Sequence, residues 1–229
     1  FDRLRAGEFA GGNVTIPHKE AVFALCDSVD PLARRIGAVN TLVVKDGQVR
    51  GSNTDYLGFL GNLDAGAPGW DAGPKSAIVL GAGGAARAVL VALQSRGIQT
   101  ITLLNRTQAS AQKLATQFGS AIEVAPLDAF DSHAPHADLV VNTTSIGMHG
   151  TSFAAMDLGK LPETALVTDL VYVPMRTPLL AAAVARGLRT VDGLGMLLHQ
   201  AVPGFEAWFG IRPTVTPALR ARLLATLEP

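Results

Sequence analysis

The chain has 229 residues, enough for one large domain or two small ones, and its 48% hydrophobic and 17% charged residues exclude a disordered chain. Nineteen basic residues balance nineteen acidic ones, so no net field draws it to a nucleic-acid backbone or an anionic membrane, and a lone cysteine, Cys26, excludes an internal disulfide framework. No run approaches the roughly 18 unbroken apolar residues that span a bilayer, and Phe1-Asp2-Arg3-Leu4-Arg5 is no signal-peptide core, which predicts a cytoplasmic protein, monomer or homodimer.

The chain opens without Met inside what reads as ordinary domain sequence, the pattern of a truncated chain. Its first part reads as short strands with polar punctuation and few helical periods. Pro17 ends a strand and turns the chain, which places Thr15 and Lys19 at a strand-to-helix edge. Asn40 and Thr41 are residue types common in turns. Asp55, after Asn53-Thr54, reads as a helix N-cap, a role compatible with chemistry at the same carboxylate. From Asp64 to Pro74 the residues Gly66, Pro68, Gly69, Gly73 and Pro74 crowd together as a linker.

Beyond the linker, strands alternate with helices. Ile78-Val79-Leu80 has the short apolar run of a buried parallel strand, and Ala85, Ala88, Val89, Ala92 and Leu93 recur at helical spacing before Gly97. Ile101-Thr102-Leu103-Leu104 predicts a second strand. Its helix carries Ala111, Leu114, Ala115 and Phe118 on one face and closes at Gly119. Further strands are predicted at Leu139-Val140-Val141 and Ala165-Leu166-Val167. Thr177 caps a helix that has Pro178 at its first position and ends at Gly187. Thr216 and Pro217 repeat the device for a last helix bearing Leu219, Leu223 and Leu227. Such alternation means crossover units and a parallel sheet.

Gly81-Ala82-Gly83-Gly84-Ala85-Ala86 fits G-x-G-x-x-A between a strand and a helix. Gly81 permits the tight turn, Gly83 lets the backbone approach a pyrophosphate, and Ala86 allows close helix–sheet packing. The free N–H groups of the helix start then face the phosphates. An NAD enzyme usually places a carboxylate at the end of the next strand, but this chain has Asn105-Arg106-Thr107. A guanidinium there pairs with a 2′-phosphate, which favours NADP over NAD.

Seven ordered segments carry a family resemblance. They are Gly12-Asn13-Val14-Thr15-Ile16-Pro17-His18-Lys19, Gly37 to Thr41, Gly51 to Asp55, the glycine turn with Asn105-Arg106-Thr107, Asn142 to Met148, Asp169 to Pro174, and Asp192 to Gln200. Together they closely resemble shikimate dehydrogenase. The resemblance implies an α/β enzyme with a Rossmann-type, doubly wound NADP-binding domain and a smaller α/β substrate domain. It implies reversible NADPH-linked reduction of 3-dehydroshikimate to shikimate, a step toward chorismate and aromatic amino acids. The substrate domain is expected to comprise residues 1–59 and 193–229, and the dinucleotide domain residues 60–192.

The family's catalytic pair falls on Lys19 and Asp55. Substrate ligands fall on Thr15, Lys19, Asn40, Asp55 and Gln200, with Tyr172 near the substrate. Gly81, Ala82, Gly83, Gly84, Ala85, Asn105, Arg106, Thr107, Thr143, Leu170, Gly193 and Met196 are expected to face the cofactor. Two departures stand out. No Ser-x-Ser segment matches the family's carboxylate-binding strand, and Ser110 occupies a position where many members carry a second basic residue, with Lys113 the nearest replacement. Mixed use of NAD and NADP on quinate and shikimate is the rival reading among enzymes; a non-catalytic, cofactor-binding relative is the rival outside them.

The residues suit the chemistry. Oxidising a secondary alcohol needs a hydride acceptor against the C–H and a group to take the hydroxyl proton, and an ammonium suits the reverse step by donating to the developing alkoxide. Gln200 follows Met196 by four residues, so both lie on one helical face. His18 reads as packing or surface, and His133, His136, His149 and His199 show no metal-ligand spacing, so no metal is expected.

Overall fold

The computed structural model describes residues 1–15, 17–73, 75–154 and 156–227; Ile16 of the first signature segment and Pro74 of the linker lie outside them. Residues 1–52 build a small sheet. They form α1 (Asp2–Arg5), β1 (Gly11–Asn13), α2 (Lys19–Phe23), β2 (Ser28–Val29), α3 (Pro31–Ile36), β3 (Thr41–Lys45) and β4 (Gln48–Ser52), in the order β1-β3-β4-β2. The β3–β4 hairpin turns at Asp46-Gly47, where both residues have positive φ, the requirement of the turn whose twist matches paired strands. Asp30 caps α3 by accepting from the Ala33 N–H at 2.7 Å, Pro31 takes the first helical position, and Gly37 ends the helix at φ +75°.

A twelve-residue helix, α4 (Asp55–Gly66), leads to the large sheet. There follow β5 (Ser76–Leu80), α5 (Gly84–Ser95), β6 (Thr100–Leu104), α6 (Gln108–Phe118), β7 (Ile122–Ala125), α7 (Phe130–His133), β8 (Leu139–Asn142), β9 (Ile146–His149), β10 (Leu166–Asp169), α8 (Pro178–Ala185) and β11 (Arg189–Val191). Six of these strands pair in the order β11-β10-β8-β5-β6-β7, every pair parallel. Both faces are covered. Ala77 and Val79 of β5 point into a cluster with Ala86, Val89 and Leu93 of α5, while Ile78 and Leu80 point into another with Phe130, Leu179 and Ala183. The sheet reverses its winding between β5 and β8, so the carboxyl ends of those two strands leave a crevice. The parallel sheet is what the sequence pattern predicts, and its doubly wound α/β arrangement is what the resemblance implies.

The chain then returns through α9 (Leu194–Phe209) and α10 (Pro217–Leu227). Helix α9 reaches back to the small sheet, where the Trp208 indole N–H donates to the Leu42 carbonyl at 2.8 Å. Thr216 caps α10 through the Leu219 N–H, and Arg220 pairs with Asp192 at the α9 entrance.

The sequence pattern names no strand for β7, β9 or β11 and no helix for α7, and it under-reads α4. Helix α4 carries Gly58, Gly61 and Gly66, which read as breakers, and its last turn, Asp64 to Gly66, falls where the linker is expected. These glycines serve packing. A Cβ on Gly58 would lie 2.7 Å from Gln200 Cβ and 2.8 Å from the Met196 carbonyl, and one on Gly61 would lie 2.8 Å from the His199 ring. Asp55 is also the first helical residue, one position beyond the N-cap expected of it. Thr54 holds the N-cap position, and the Asn53 side chain accepts from the Asp55 N–H at 3.1 Å.

Gly58→Ala is therefore expected to push α4 away from the α9 backbone, which no rotamer change can relieve, and to cost about 1–3 kcal/mol. Urea denaturation of the variant checks this, with a midpoint equal to wild type as the contrary result.

Candidate active site

The site assembles where β1, the loop before β3, the start of α4 and one face of α9 meet the carboxyl ends of β5, β8 and β10. Lys19 opens α2 and Asp55 opens α4, and their side chains meet at 2.6 Å with the lysine 13% and the aspartate 2% exposed. The second Asp55 oxygen accepts from the Asn40 side-chain amide at 2.8 Å. That amide also lies 3.3 Å from Gln200 Oε1, while the Asn40 side-chain oxygen Oδ1 accepts from the Thr54 N–H at 2.8 Å and the Thr41 hydroxyl at 2.9 Å. Asn40 is buried and its polar atoms are used, so it is a fixed element. The backbone holds the approach, with the Val39 N–H donating to the Lys19 carbonyl at 2.9 Å.

These groups open onto a cleft of about 470 Å³. Lys19, Asp55, Asn40, Thr15 and Gln200 line its small-sheet side; Ala85, Thr143, Leu170, Gly193 and Met196 line the other, with Tyr172 beside them. Gln200 and Met196 both face inward, as four-residue spacing on a helix requires. Gly81 to Gly84 and Asn105 to Thr107 lie outside the cleft lining, at the carboxyl ends of β5 and β6 along the same sheet edge. His18 is exposed. Among the described residues no helix is long and apolar enough to cross a membrane.

The glycine turn fits a pyrophosphate. Gly81 sits at φ +99°, and a Cβ there would lie 2.7 Å from Thr144 and 2.9 Å from the Thr143 hydroxyl. At Gly83 and Gly84 a Cβ would meet nothing within 4 Å, so that side of the backbone is open. No side chain caps the start of α5, which leaves its first N–H groups free for an anion. Ala86 is fully buried against the sheet. At the end of β6, Asn105 donates to the Thr107 carbonyl at 2.8 Å and shapes a loop on which Arg106 is exposed.

Several lining residues escaped the sequence reading. Asn13 stands two residues before Thr15 and donates to the Asn40 carbonyl at 3.3 Å; a period-two strand pattern would have put it on the Thr15 face. Thr144, Ser145 and Val171 belong to loops whose course depends on a carboxylate far away in sequence. Asp169, fully buried at the end of β10, accepts from the Asn142 amide at 2.8 Å, the Val171 N–H at 2.9 Å and the Thr177 hydroxyl at 2.7 Å. Asn142 in turn accepts from the Thr144 N–H at 2.9 Å. Asp169 thus ties both loops of the wall opposite the small sheet to the cap of α8.

Three comparisons bear on identity. Family models described as "Shikimate dehydrogenase substrate binding domain", "Shikimate / quinate 5-dehydrogenase" and "Shikimate 5'-dehydrogenase C-terminal domain" match residues 1–42, 70–170 and 193–221. A curated shikimate dehydrogenase (NADP(+)) from Mesorhizobium japonicum is 58% identical over 227 residues, 99% of this chain and 80% of that protein. The chain belongs to the shikimate dehydrogenase family. It is an oxidoreductase of that family, and solved structures agree with the fold. A Thermus thermophilus shikimate 5-dehydrogenase in complex with NADP(H) and shikimate superposes with TM-score 0.85 at 38% identity, covering 99% of this chain and 83% of that one. A Corynebacterium glutamicum quinate dehydrogenase in complex with NAD gives TM-score 0.89 at 36% identity, covering 98% and 80%.

Burial pushes the Asp169 carboxyl up to about 6 from 3.8, against the three hydrogen bonds that favour its ionised form. The folded state therefore binds this proton more tightly than the unfolded chain. The carboxyl's contribution to stability is most favourable below pH 3.8 and is lost as pH rises through 6. Asp169→Asn is expected to remove that dependence, gaining on wild type by an order of 2–3 kcal/mol between about pH 4 and pH 7. Parallel urea titrations across that range check it; a constant difference between the two proteins would contradict it.

Proposed function

We propose that this shikimate dehydrogenase family member catalyses the reversible NADP-linked interconversion of shikimate and 3-dehydroshikimate, with Lys19 and Asp55 handling the proton. The observation that carries the reading is the Lys19–Asp55 pair, 2.6 Å apart in a cleft whose opposite wall adjoins an uncapped, glycine-led helix. The names of the curated relatives, 53–58% identical in three organisms, support the substrate and the cofactor. The same reading takes residues 1–59 with 193–229 as the substrate-binding unit and 60–192 as the dinucleotide unit; the segments matched by the three family models support that division.

The bound cofactor would supply the redox chemistry, as hydride acceptor for the alcohol carbon in its oxidised form and as hydride donor to the ketone in its reduced form. The free N–H groups at the start of α5 hold the pyrophosphate, Arg106 and Thr107 the adenosine 2′-phosphate, and Thr143, Leu170, Gly193 and Met196 the nicotinamide end. Thr15, Asn40 and Gln200 hold the ring hydroxyls, with Tyr172 alongside. In the oxidative direction the substrate hydroxyl loses its proton to the Lys19–Asp55 pair as the C–H bond breaks. In the reductive direction Lys19 Nζ donates a proton to the oxygen as negative charge develops on it, and Asp55 orients the ammonium and shares the hydroxyl. Asn40 keeps Asp55 aimed at the lysine, since one carboxylate oxygen is bound to the amide and the other to the ammonium.

Initial rates with shikimate and quinate, each against NADP and NAD, test the assignment. Turnover restricted to shikimate and NADP is expected. Equal turnover of quinate with NAD would instead favour the mixed reading suggested by the Corynebacterium glutamicum likeness and by Ser110. Lys19→Ala is expected to lower kcat by roughly 10²–10⁴-fold with NADP affinity unchanged. Surviving turnover would remove Lys19 from the chemistry. Arg106→Asp is expected to raise KM for NADP at least about tenfold while leaving KM for NAD nearly constant, read from the same assay.

A further inference from the structure

Outside the cleft lining, helix α3 beside the small sheet is joined to helices α5 and α6 of the large sheet by side-chain donors. Helix α3 ends at Ile36, and the carbonyls in its last turn lack helical partners. Two of them are met by side chains of the large-sheet side. Arg87 of α5 donates through Nη1 to the Ile36 carbonyl at 3.3 Å, and Gln117 of α6 donates to the Arg35 carbonyl at 3.2 Å. The two donors are themselves joined, Arg87 Nη1 to Gln117 Oε1 at 2.7 Å. Gly37 leaves room for them, since a Cβ there would stand 3.1 Å from Arg87 Nη1. Beneath them Ile36 and Ala38 pack against Ala88 and Val91 of α5.

What lies on either side of this junction gives it meaning. Arg87 is one turn into the helix whose start faces the phosphates. Its other nitrogen reaches Glu20, the neighbour of Lys19, at 3.3 Å. Three residues beyond Gly37 comes Asn40, and the intervening Val39 N–H is bonded to the Lys19 carbonyl. One guanidinium, its side chain only 16% exposed, thus touches the segments that carry both Lys19 and Asn40.

We propose that Arg87 is a positioning residue that clasps the phosphate-binding helix to the Lys19 and Asn40 segments, and so sets how the two walls of the cleft face each other. The proposal rests on the reading of Lys19 and Asn40 as parts of the active site. Capping of the α3 carbonyls does most of the work, because the Glu20 side chain is 55% exposed and its ion pair is screened by water. A planar guanidinium reaches several acceptors at once, which an ammonium cannot copy.

The test uses Arg87→Met, which keeps the packed stem, beside Arg87→Lys and Glu20→Gln. Hydrogen–deuterium exchange at the Gly37, Val39 and Asn40 amides is expected to quicken about tenfold in Arg87→Met and less in Arg87→Lys. Misalignment of about 1 Å is expected to lower kcat by about 10–100-fold in Arg87→Met while the dissociation constant for NADP alone holds within about twofold. Glu20→Gln is expected to change neither. Unchanged exchange in Arg87→Met, faster exchange with kcat intact, or an equal response in Glu20→Gln overturns the proposal. A wild-type protein that fails to turn over shikimate with NADP defeats the functional reading instead, and the exchange arm still decides the clasp.

Discussion

Moving a carboxylate out of water costs several kcal/mol unless an opposite charge and hydrogen-bond donors replace the lost hydration. Asp55, almost wholly buried, meets that demand with groups from separate stretches of chain: the Lys19 ammonium, the Asn40 amide and the positive end of α4 itself. Each carries a condition. Lys19 must begin a helix just after a strand edge, and Asn40 must be buried with its own Oδ1 satisfied by Thr41 and Thr54. Helix α4 must point its first turn at the small sheet while its body packs on α9, which the glycines at positions 58 and 61 allow. The Lys19–Asp55 pair, to which we assign the proton transfer, is therefore also the point where the small sheet, the connecting helix and the returning helix lock together.

Much of this was open to a reader of the sequence. Beyond the linker, short apolar runs and helical spacing marked β5, β6, β8, β10 and their helices to within a residue or two, because buried parallel strands and amphipathic helices leave different periods. The caps at Thr177 and Thr216 were equally plain, since a hydroxyl followed by proline has few other uses. Helix α4 was hidden by its glycines, whose role in close packing has no signature in a single sequence. Asp169 was hidden for another reason. Its partners lie 27 residues upstream and up to eight downstream, and nothing local says that a carboxylate at a strand end will be buried rather than solvated.

The walls of the cleft are held in different ways. The small-sheet wall is fixed by hydrogen bonds around Asn40 and by the close fit of α4 on α9. Much of the opposite wall comes from two loops that share one buried carboxylate, Asp169, with Asn142 and Thr177 as its intermediaries. Between them the chain crosses at Asp192-Gly193, where a Cβ on Gly193 would lie 2.5 Å from the Leu170 carbonyl. The crossing strand thus runs against the Asp169 loop. A shift in either is felt by the other, and both sit beside Met196 and Leu170, which we propose hold the nicotinamide end.

Arg106 stands apart from all this. It is exposed on a loop shaped by Asn105, at the end of β6, outside the cleft that holds Lys19, Asp55 and Gln200. Substitutions there meet no packed neighbour and disturb no buried charge, whereas almost any change around Asn40 breaks several bonds at once. On the roles we propose for Arg106 and Asn40, coenzyme preference can therefore be altered by single changes at the surface, while the choice of alcohol is bound to an interior network.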